Sequence, residues 1–434
     1  MEITVSDPVK HSEGMNAYVT YKVTTKTDLE RFDSSHFYVH RRYSDFVWLQ
    51  EQLAEAYPGL IIPPLPEKQV MRRFNEPFLS QRQRALEKFL SRIASHELLR
   101  DNMYVKAFLE VENLEATKGS VAKQGKKNDQ SFWQWASQAT SSLSNKMAGG
   151  PSHLPKTEED VKFDEARMYI DSLEPQINNV HKHTHTLVEK GKDMAQALFD
   201  FGLAFTLLGQ AEADALGDAM AQLGQCADKL SRITAVEADK EAQFFDEPIR
   251  DYVRLVRQVK ATLDVRVSKL QAYDNLIGEV QTKKQTRDRL ASQPAGDPQS
   301  HAHKLGLAEE ELKRSEQQLE NAKEEYEVVT KRVLTEIDRF KREKLVDFKS
   351  IVLDYVQLQI EYNQQVEQSW REVLPSLQAL NIQQSGSHGP TGQLGQAPAA
   401  APIPARADEP RAPSPSQEPS TTEEGGEDLD EQFV

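Results

Sequence analysis

The sequence predicts an α+β domain at the N-terminal end, followed by a long all-α region that forms a coiled coil. Apolar and polar residues alternate in stretches before residue 45, as is typical of strands in a small sheet. Between residues 156 and 381, apolar residues instead recur at spacings of three and four over long distances. Residues 382–434 are rich in Gly, Ser, Pro, Ala and Gln, and are predicted to be a disordered acidic tail.

Composition narrows the class of protein. A chain of 434 residues can hold two or three domains, and its single cysteine, Cys226, excludes an internal disulfide. The first residues, MEITVSDPVK, have neither a basic start nor an apolar run, so we expect a cytosolic protein without a cleaved signal. The stretch LFDFGLAFTLLG contains Asp200 and is shorter than the roughly 20 residues that span a bilayer, so membrane contact is expected to be peripheral. The net charge of −15 argues against nucleic acid as the main partner.

Residues 1–115 are predicted to form a three-stranded antiparallel sheet packed on helices. The expected strands are ITVSDP, AYVTYKVTT and FYVHRRY. A helix is expected to begin near Ser44, its N-cap, because Phe46, Leu49 and Leu53 follow at helical spacing. The prolines of GLIIPPLPEKQ favour an extended path. The helical period then returns in FLSQRQRALEKFLSRI and in a short final helix around VKAFL.

Two arginines lie where the third strand meets the first helix, in HRRYSDFVWL. The free N–H groups of the helix can join them in holding an anion; phosphate is one candidate and a structural salt bridge is the alternative. Strand alternation turns Arg41 away from Arg42, so Arg41 is expected on the surface or in a salt bridge. In the second helix, Arg82 takes a position where the period of Leu79 and Leu86 expects an apolar residue. A charge there needs a partner, either ligand oxygens or an internal carboxylate.

Residues 116–155 have the polar, Gly/Ser/Lys-rich composition of a linker, except for a stretch at about 129–147. As a helix, that stretch would gather one apolar face, formed by Phe132, Trp133, Ala136, Ala139 and Leu143. An apolar face opposite small, weakly charged residues is typical of a helix that lies in a lipid interface. The alternative is a segment that docks on a neighbouring domain.

The loop QVMRRFNEPF combines apolar and basic residues. Val70 and Phe74 lie beside Arg72 and Arg73, so these two apolar side chains are candidates for insertion among lipid headgroups.

Three apolar seams run through residues 156–381 and predict three long helices. The first comprises Leu173, Ile177, Val180, Thr184, Leu187, Gly191, Met194, Leu198, Phe201, Phe205 and Leu208. The second comprises Ile249, Tyr252, Val256, Val259, Leu263, Val267, Leu270, Tyr273, Ile277 and Val280. The third comprises Leu312, Leu319, Ala322, Tyr326, Val329, Val333, Ile337, Phe340, Phe348, Val352, Tyr355, Tyr362 and Val366. Breaks are expected in LGQAEADALG and ASQPAGDPQSHAHK, and a partner chain is the simplest way to bury seams of this length.

Basic residues accumulate on both sides of the second break. They are Lys269, Lys283, Lys284, Arg287, Arg289, Lys304, Lys313 and Arg314. Two antiparallel helices would bring these charges together at one tip, where anionic lipid attracts such clusters. The alternative is an ordinary solvated charged face.

RRYSDF, PPLPEK and the helix that contains Arg82 together resemble the phosphoinositide-binding PX domain. Two further stretches resemble helices of the BAR domain in retromer-associated sorting nexins, particularly the sorting nexin 1 type of plants. They are EPIRDYVRLVRQVKATLDVR and RFKREKLVDFKSIVLDYV. The resemblance covers residues 1–380 and leaves the tail outside. It implies an α+β PX domain at 1–115 and an all-α, dimeric, three-helix BAR domain at 156–381.

The resemblance also implies roles for individual residues. Arg42 would hold the 3-phosphate of phosphatidylinositol 3-phosphate, and Tyr43 would pack against the inositol ring. Lys68 would meet the 1-phosphate, Arg82 would bind the ring hydroxyls, and Ser44 matches a further phosphate contact. Each has an alternative: Tyr43 as a core residue, Lys68 as an ordinary surface lysine, and PPLP as a ligand for an SH3 domain.

The implied function is that of a peripheral membrane protein without a cofactor, on the cytosolic face of endosomes. Such a protein would pair with itself or with another BAR-type sorting nexin, curve the membrane and work with retromer subunits. One alternative is a soluble coiled-coil scaffold whose basic N-terminal site binds a phosphorylated or acidic protein. An enzyme acting on phosphoinositides is not supported, since neither a Walker-type loop nor a GxSxG turn is present.

The histidines of HKHTH do not predict a metal site. On a helix only His181 and His185 share a face, and no carboxylate or cysteine nearby in the sequence completes a ligand set.

Overall fold

The computed structural model describes residues 1–11, 17–68, 75–119, 154–212, 215–292 and 298–379. The N-terminal part contains β1 (Glu2–His11), β2 (Tyr18–Lys26), β3 (His36–Arg42), α1 (Tyr43–Ala56), α2 (Glu76–Ser95), α3 (Glu97–Arg100) and α4 (Met103–Glu110). Residues 114–119 form a further helical segment, α5. Next come α6 (Glu158–Ala211), α7 (Ala215–Glu241), a π-helical turn (Ala242–Asp246), α8 (Glu247–Ser292) and α9 (Pro298–Gln378).

The three strands form one antiparallel sheet in the order β1-β2-β3, as the alternation of the sequence predicts. Val23 pairs with Val5 on one side and with Val39 on the other, so the three valines share the face that packs on α1, α2 and α4. In the core, Phe46 lies between Phe89 and Phe108, with ring centroids 6.3 and 5.0 Å away. The alternation of apolar residues in the strands and their three- and four-residue spacing in the helices therefore predict the sheet and the helices packed on it.

Helix α1 follows β3 without an intervening loop. Arg42 is both the last residue of β3 and the N-cap of α1, so the predicted N-cap, Ser44, is wrong. The Asp45 carboxylate instead accepts the Arg42 backbone N–H at 2.9 Å. An acidic side chain in the first turn satisfies a free N–H group of the helix end, and Ser44 is left exposed.

Arg41 is almost fully buried, which contradicts its expected place on the surface. Its guanidinium donates to the carbonyl oxygens of Phe108, at 2.8 Å, and of Val111 and Glu112 at the end of α4. These carbonyls have no partner within the helix, and the fork of the guanidinium binds several of them at once. Burial lowers the pKa of Arg41 to about 10, so it remains charged at neutral pH.

The helical part consists of three long helices, as predicted. Helix α6 has 54 residues and α9 has 81, which corresponds to about 80 and 120 Å at 1.5 Å per residue. The middle helix runs from Ala215 to Ser292, with the π-helical turn inside it. The two breaks lie in the segments where glycine and proline predicted them.

The predicted seams are confirmed in α8 and in the first half of α9, where most of their members are buried or half-buried. In α6 only part of the seam packs within the chain: Leu173, Ile177, Thr184, Gly191, Leu198 and Phe205 are buried or half-buried. Ile177 and Thr184 are buried, but Val180, Leu187, Met194, Phe201 and Leu208 are between 43% and 55% exposed. The buried positions of α6 beyond Thr184 are Val188, Ala195, Gly202 and Gly209, most of them small. In α9, Ile351 is buried in place of Val352.

Small residues let α6 and α7 approach closely. A Cβ on Gly202 would lie 2.8 Å from the Gly224 carbonyl oxygen, and one on Gly209 would lie 2.5 Å from that of Gly217. Contacts this short leave no room for a methyl group. The backbones of the two helices are thus nearly in contact along this line.

The N-terminal part packs on the middle of the helical part. Ile61, in the extended segment after α1, belongs to the apolar cluster of α8 and α9. Around it, Glu336 of α9 accepts the Ile61 backbone N–H at 3.0 Å and contacts the His96 ring at 3.2 Å. Asp251 of α8 lies 2.7 Å from Arg92 and 3.2 Å from Lys88, both on α2. No helix among the described residues has the length and apolar character needed to cross a membrane.

Candidate functional site

Two of the predicted ligand-binding residues form the centre of the site. Arg82 of α2 is buried, and its guanidinium carbon lies 4.6 Å from the centroid of the Tyr43 ring and 4.3 Å from that of Phe78. It also donates to the Glu67 carbonyl oxygen at 3.1 Å. The charge that interrupts the apolar period is therefore held between two aromatic faces and a carbonyl.

Tyr43 is half-buried at the start of α1. Its hydroxyl donates to the Pro66 carbonyl oxygen, and burial raises the pKa of that hydroxyl. Tyr43 and Arg82 thereby both hold the backbone at Pro66 and Glu67. Lys68 follows Glu67 directly in the chain and is exposed.

Tyr21 of β2 is a member of the site that the sequence did not reveal. Its side chain is fully buried, and its hydroxyl lies beside Arg82. Burial raises the pKa of Tyr21, and the charge of Arg82 opposes that rise. In the sequence Tyr21 resembles any other inward-facing strand residue, so only the fold brings it to Arg82.

Arg42 points to a different set of charges. Its guanidinium lies 2.5 Å from Glu115 Oε2 of α5 and 3.6 Å from Asp45 Oδ1. Lys118 of α5 lies 2.9 Å from the same Glu115 oxygen and 2.8 Å from Asp45 Oδ1. The four side chains form one network of alternating charge, which we call the Arg42 cluster.

Sequence reasoning missed both α5 members of the Arg42 cluster. Glu115 is 73 positions from Arg42, at the last residue of the predicted PX domain, and Lys118 lies in the predicted linker, so no local spacing connects them with Arg42. The hydrogen bond from Lys118 is the largest cause that holds the pKa of Glu115 below its usual value, so this carboxylate is ionised at neutral pH.

Several predicted residues lie outside the part of the chain that the structure describes. They are the insertion candidates Val70, Phe74, Phe132, Trp133, Ala136 and Leu143. Their contact with lipid stays a prediction.

The predicted basic tip presents fewer free positive charges at its surface than its sequence predicts. Lys269 is 4% exposed and its ammonium lies 2.6 Å from Glu325, so its assignment to a surface cluster is wrong. It continues the line of Leu255 and Thr262 at seven-residue spacing, which faces the neighbouring helices.

The other tip residues lie nearer to solvent, and three of them have acidic neighbours. Lys283 pairs with Glu279 at 2.6 Å, Lys284 with Glu316 at 3.0 Å and Arg287 with Asp288 at 2.7 Å. The side chains of Arg289, Lys304, Lys313 and Arg314 are exposed.

The histidines of α6 have an acidic neighbour that the sequence did not reveal. Asp246, in the π-helical turn, lies 3.6 Å from His181 and 3.6 Å from His185, and Arg250 approaches the same carboxylate at 2.5 Å. Within the described ranges, no group of three or more His, Cys, Asp or Glu residues is arranged to hold a metal ion.

Comparisons with known families match two parts of the chain. Residues 29–112 match the PX domain, and residues 136–376 match the family described as Vps5 C terminal like. Neither description is that of a catalytic domain.

Among curated proteins, sorting nexin 1 of Arabidopsis thaliana is 32% identical over 384 residues, covering 87% of this chain and 93% of that protein. Sorting nexin-1 of Mus musculus is 31% identical over 396 residues, covering 88% of this chain and 72% of its own length. A solved structure of the SNX-BAR protein Mvp1, a tetramer, superposes with a TM-score of 0.61 at 17% identity, over 86% of this chain and 99% of that one. This last likeness concerns the fold.

Proposed function

This chain belongs to the sorting nexins that join a PX domain to a Vps5-like BAR region, and from this premise we propose that it binds phosphatidylinositol 3-phosphate on endosomes. In this proposal residues 1–115 recognise the lipid, the linker 116–155 inserts an amphipathic helix, and residues 156–381 dimerise and curve the membrane. The protein acts as a retromer-linked coat component and catalyses no reaction.

The arrangement of Arg82 and Tyr43 is the observation that carries the lipid site. The buried guanidinium of Arg82 packs against the aromatic face of Tyr43, which places hydrogen-bond donors beside a flat apolar surface. In the proposal, Lys68 lies at the edge of this site and Arg42 directly precedes Tyr43 in the chain. Such a combination suits a sugar ring that carries phosphates, because the guanidinium binds oxygens and the aromatic ring packs on the C–H face.

A vesicle-pelleting experiment tests this site. We expect the full chain to sediment with vesicles that contain phosphatidylinositol 3-phosphate and to remain in solution with vesicles that contain unmodified phosphatidylinositol. Arg42→Ala should abolish the difference, whereas Arg371→Ala, at an exposed position near the end of α9 and outside both predicted lipid-binding surfaces, should retain it. Equal sedimentation of the wild type with both lipids would reject the pocket and favour the scaffold that binds a phosphorylated or acidic protein.

Exposed apolar faces on α6 and α9 support dimerisation. In α6 the exposed members at seven-residue spacing are Val180, Leu187, Met194, Phe201 and Leu208. In the second half of α9 the exposed apolar residues are Val352, Leu353, Val356, Ile360, Trp370 and Leu374, each between 42% and 58% exposed. Exposed apolar faces of this length need a partner of similar length, and a second BAR-type chain offers one.

Light scattering of the purified protein tests this proposal. The wild type should have the mass of a dimer, and Val356→Asp with Ile360→Asp should reduce it to that of a monomer, because two charges would be buried at the interface. The control, Gln318→Asp with Asn321→Asp, adds the same charge at exposed positions of the same helix and should remain dimeric. A wild-type monomer would contradict the proposal.

The linker is proposed to aid membrane bending rather than lipid recognition. Deletion of residues 129–147 should therefore leave vesicle binding unchanged and reduce the number of tubules seen by electron microscopy. Undiminished tubulation by the deletion variant would remove the insertion step from the proposal.

A further inference from the structure

Glu115 Oε2 lies between two cations that belong to different parts of the chain. Arg42 ends β3, whereas Lys118 lies on α5, beyond residues 29–112 that match the PX domain. Both reach the same carboxylate oxygen, at 2.5 and 2.9 Å. These are the distances of charge-assisted hydrogen bonds, so this oxygen occupies a position built to hold negative charge.

Asp45 fixes the geometry around that position. It is largely buried, accepts the Arg42 backbone N–H and pairs with Lys118 at 2.8 Å. Asp45 thus keeps the Lys118 ammonium near Arg42 whether or not Glu115 is present. Glu115 itself is mostly exposed, and its side chain is held by its contacts with the two cations.

We propose that Glu115 is an intramolecular competitor for the phosphate-binding position, and that Lys118 joins Arg42 as a ligand of the phosphate when the headgroup displaces Glu115. This inference rests on the proposed lipid site and adds to it a regulatory residue and a phosphate ligand. A phosphate brings more oxygens and more charge than one carboxylate, so it can engage both cations together.

The exposure of Glu115 decides how strong the competition is. Ion pairs at exposed positions contribute little, so Glu115 weakens headgroup binding without preventing it. Removing its charge should therefore strengthen binding by about two- to fivefold, in accordance with the small net energies of such pairs.

Calorimetric titration of the full chain with soluble inositol 1,3-bisphosphate tests the competition without a membrane. Glu115→Gln should bind about two- to fivefold more tightly than the wild type. The control is Glu112→Gln, which removes one negative charge at an exposed position three residues away and should leave the affinity unchanged. Equal affinities of Glu115→Gln and the wild type, or an equal gain in both variants, would overturn the role of Glu115.

Lys118 is tested in both backgrounds. Lys118→Met should weaken binding in the wild type, and it should also weaken binding in Glu115→Gln, where the Glu115 carboxylate no longer has to be displaced. Loss of the effect in the second background would show that Lys118 acts only on Glu115 and would overturn its role as a ligand.

Inorganic phosphate at the same concentrations should give no comparable heat of binding, because it lacks the contacts made by the inositol ring. Equal binding of inorganic phosphate would overturn the headgroup as the occupant.

Two sets of binding results distinguish a wrong assignment of Glu115 and Lys118 from a wrong assignment of the lipid site. If the wild type binds no inositol 1,3-bisphosphate and ignores phosphatidylinositol 3-phosphate in vesicles, the proposed function itself fails. If the wild type binds the headgroup and Arg42→Ala does not, but Glu115→Gln and Lys118→Met bind as the wild type does, only the inference fails.

Discussion

Arg41 and Arg42 are adjacent, yet the fold gives them opposite tasks. Because successive strand residues point to opposite faces, Arg41 lies in the interior against the carbonyls at the end of α4, and Arg42 points to the exposed cluster with Glu115. The alternation predicted their separation but not which side was buried. Arg41 lies inside because a helix end there needs donors, a condition that depends on a segment 67 positions away.

Replacement of Arg41 should destabilise the PX domain. In Arg41→Met the carbonyls of Phe108, Val111 and Glu112 lose a charged donor, which should cost at least ~2 kcal/mol. Hydrogen exchange of the amides in β3 and α4 measures the loss. Arg42→Met removes a guanidinium that is 42% exposed and whose shortest pair is with the exposed Glu115, so it should change the same amides by less than ~1 kcal/mol. Similar protection in the two variants would contradict the structural role of Arg41.

Glu336 should make stability depend on acid pH. Burial alone would raise its pKa, but hydrogen bonds from His96 and Arg339 outweigh burial and bring the pKa to about 2, from an ordinary 4.5. A lowered pKa stabilises the folded state above the unfolded pKa, and this contribution is lost as the pH falls from about 4.5 towards 2. In thermal unfolding between pH 5 and 3, Glu336→Gln should therefore lose less stability than the wild type. Parallel pH profiles would contradict this account.

Among the helices, α6 has two apolar faces that differ in side-chain size. The predicted seam holds mostly large residues and is only partly buried within the chain, whereas the face against α7 carries Gly and Ala at seven-residue spacing. Close approach of two backbones requires small residues, and the large ones are left at the surface. Periodicity therefore predicted the helix, its length and its breaks, but not which of two faces packs within the chain. The same limit explains Lys269, which lies on a buried line that periodicity alone treats as polar.

The contact between α6 and α7 should not accept a methyl group. Gly202→Ala would place its Cβ 2.8 Å from a carbonyl oxygen of α7 and should cost about 1–3 kcal/mol as the helices separate. Gly306→Ala, in α9, meets no atom within 4 Å and should stabilise its helix by about 0.5–1 kcal/mol. Thermal unfolding followed by circular dichroism compares the two variants. Equal shifts in Tm would contradict the close approach.

At the scale of the molecule, the PX domain and the helical region meet through buried charges. Asp251 is 6% exposed, and its pKa is lowered because Arg92, Lys88 and Arg254 outweigh the effect of burial. No sequence pattern predicted this contact, since complementary charges on two separate amphipathic helices look like ordinary solvated faces. The proposed lipid site differs in this respect, because most of its candidate residues come from two short motifs, RRYS and PPLPEK, that can be recognised without knowing how distant helices pair.

Asp251→Asn should loosen the PX domain without unfolding it. The substitution leaves three cations with no carboxylate, and breaking a buried pair typically costs ~3–5 kcal/mol. Hydrogen exchange should increase at α2 and at the facing part of α8, while β1 to β3 remain protected. Glu316→Gln, which breaks an exposed pair with Lys284, should change neither region. Unchanged exchange in Asp251→Asn would show that apolar contacts such as Ile61 hold the interface alone.

The contact between α2 and α8 affects binding assays that use the PX domain as an isolated fragment. Arg84 is matched in the intact chain by Glu247, and Lys88 and Arg92 by Asp251, so a truncated fragment leaves those counter-ions behind. Three cations on one helix without these carboxylates would bind the fragment to liposomes that contain phosphatidylserine, whether or not a phosphoinositide is present. Such a fragment would therefore understate the selectivity of the whole protein, even with its inositol pocket intact.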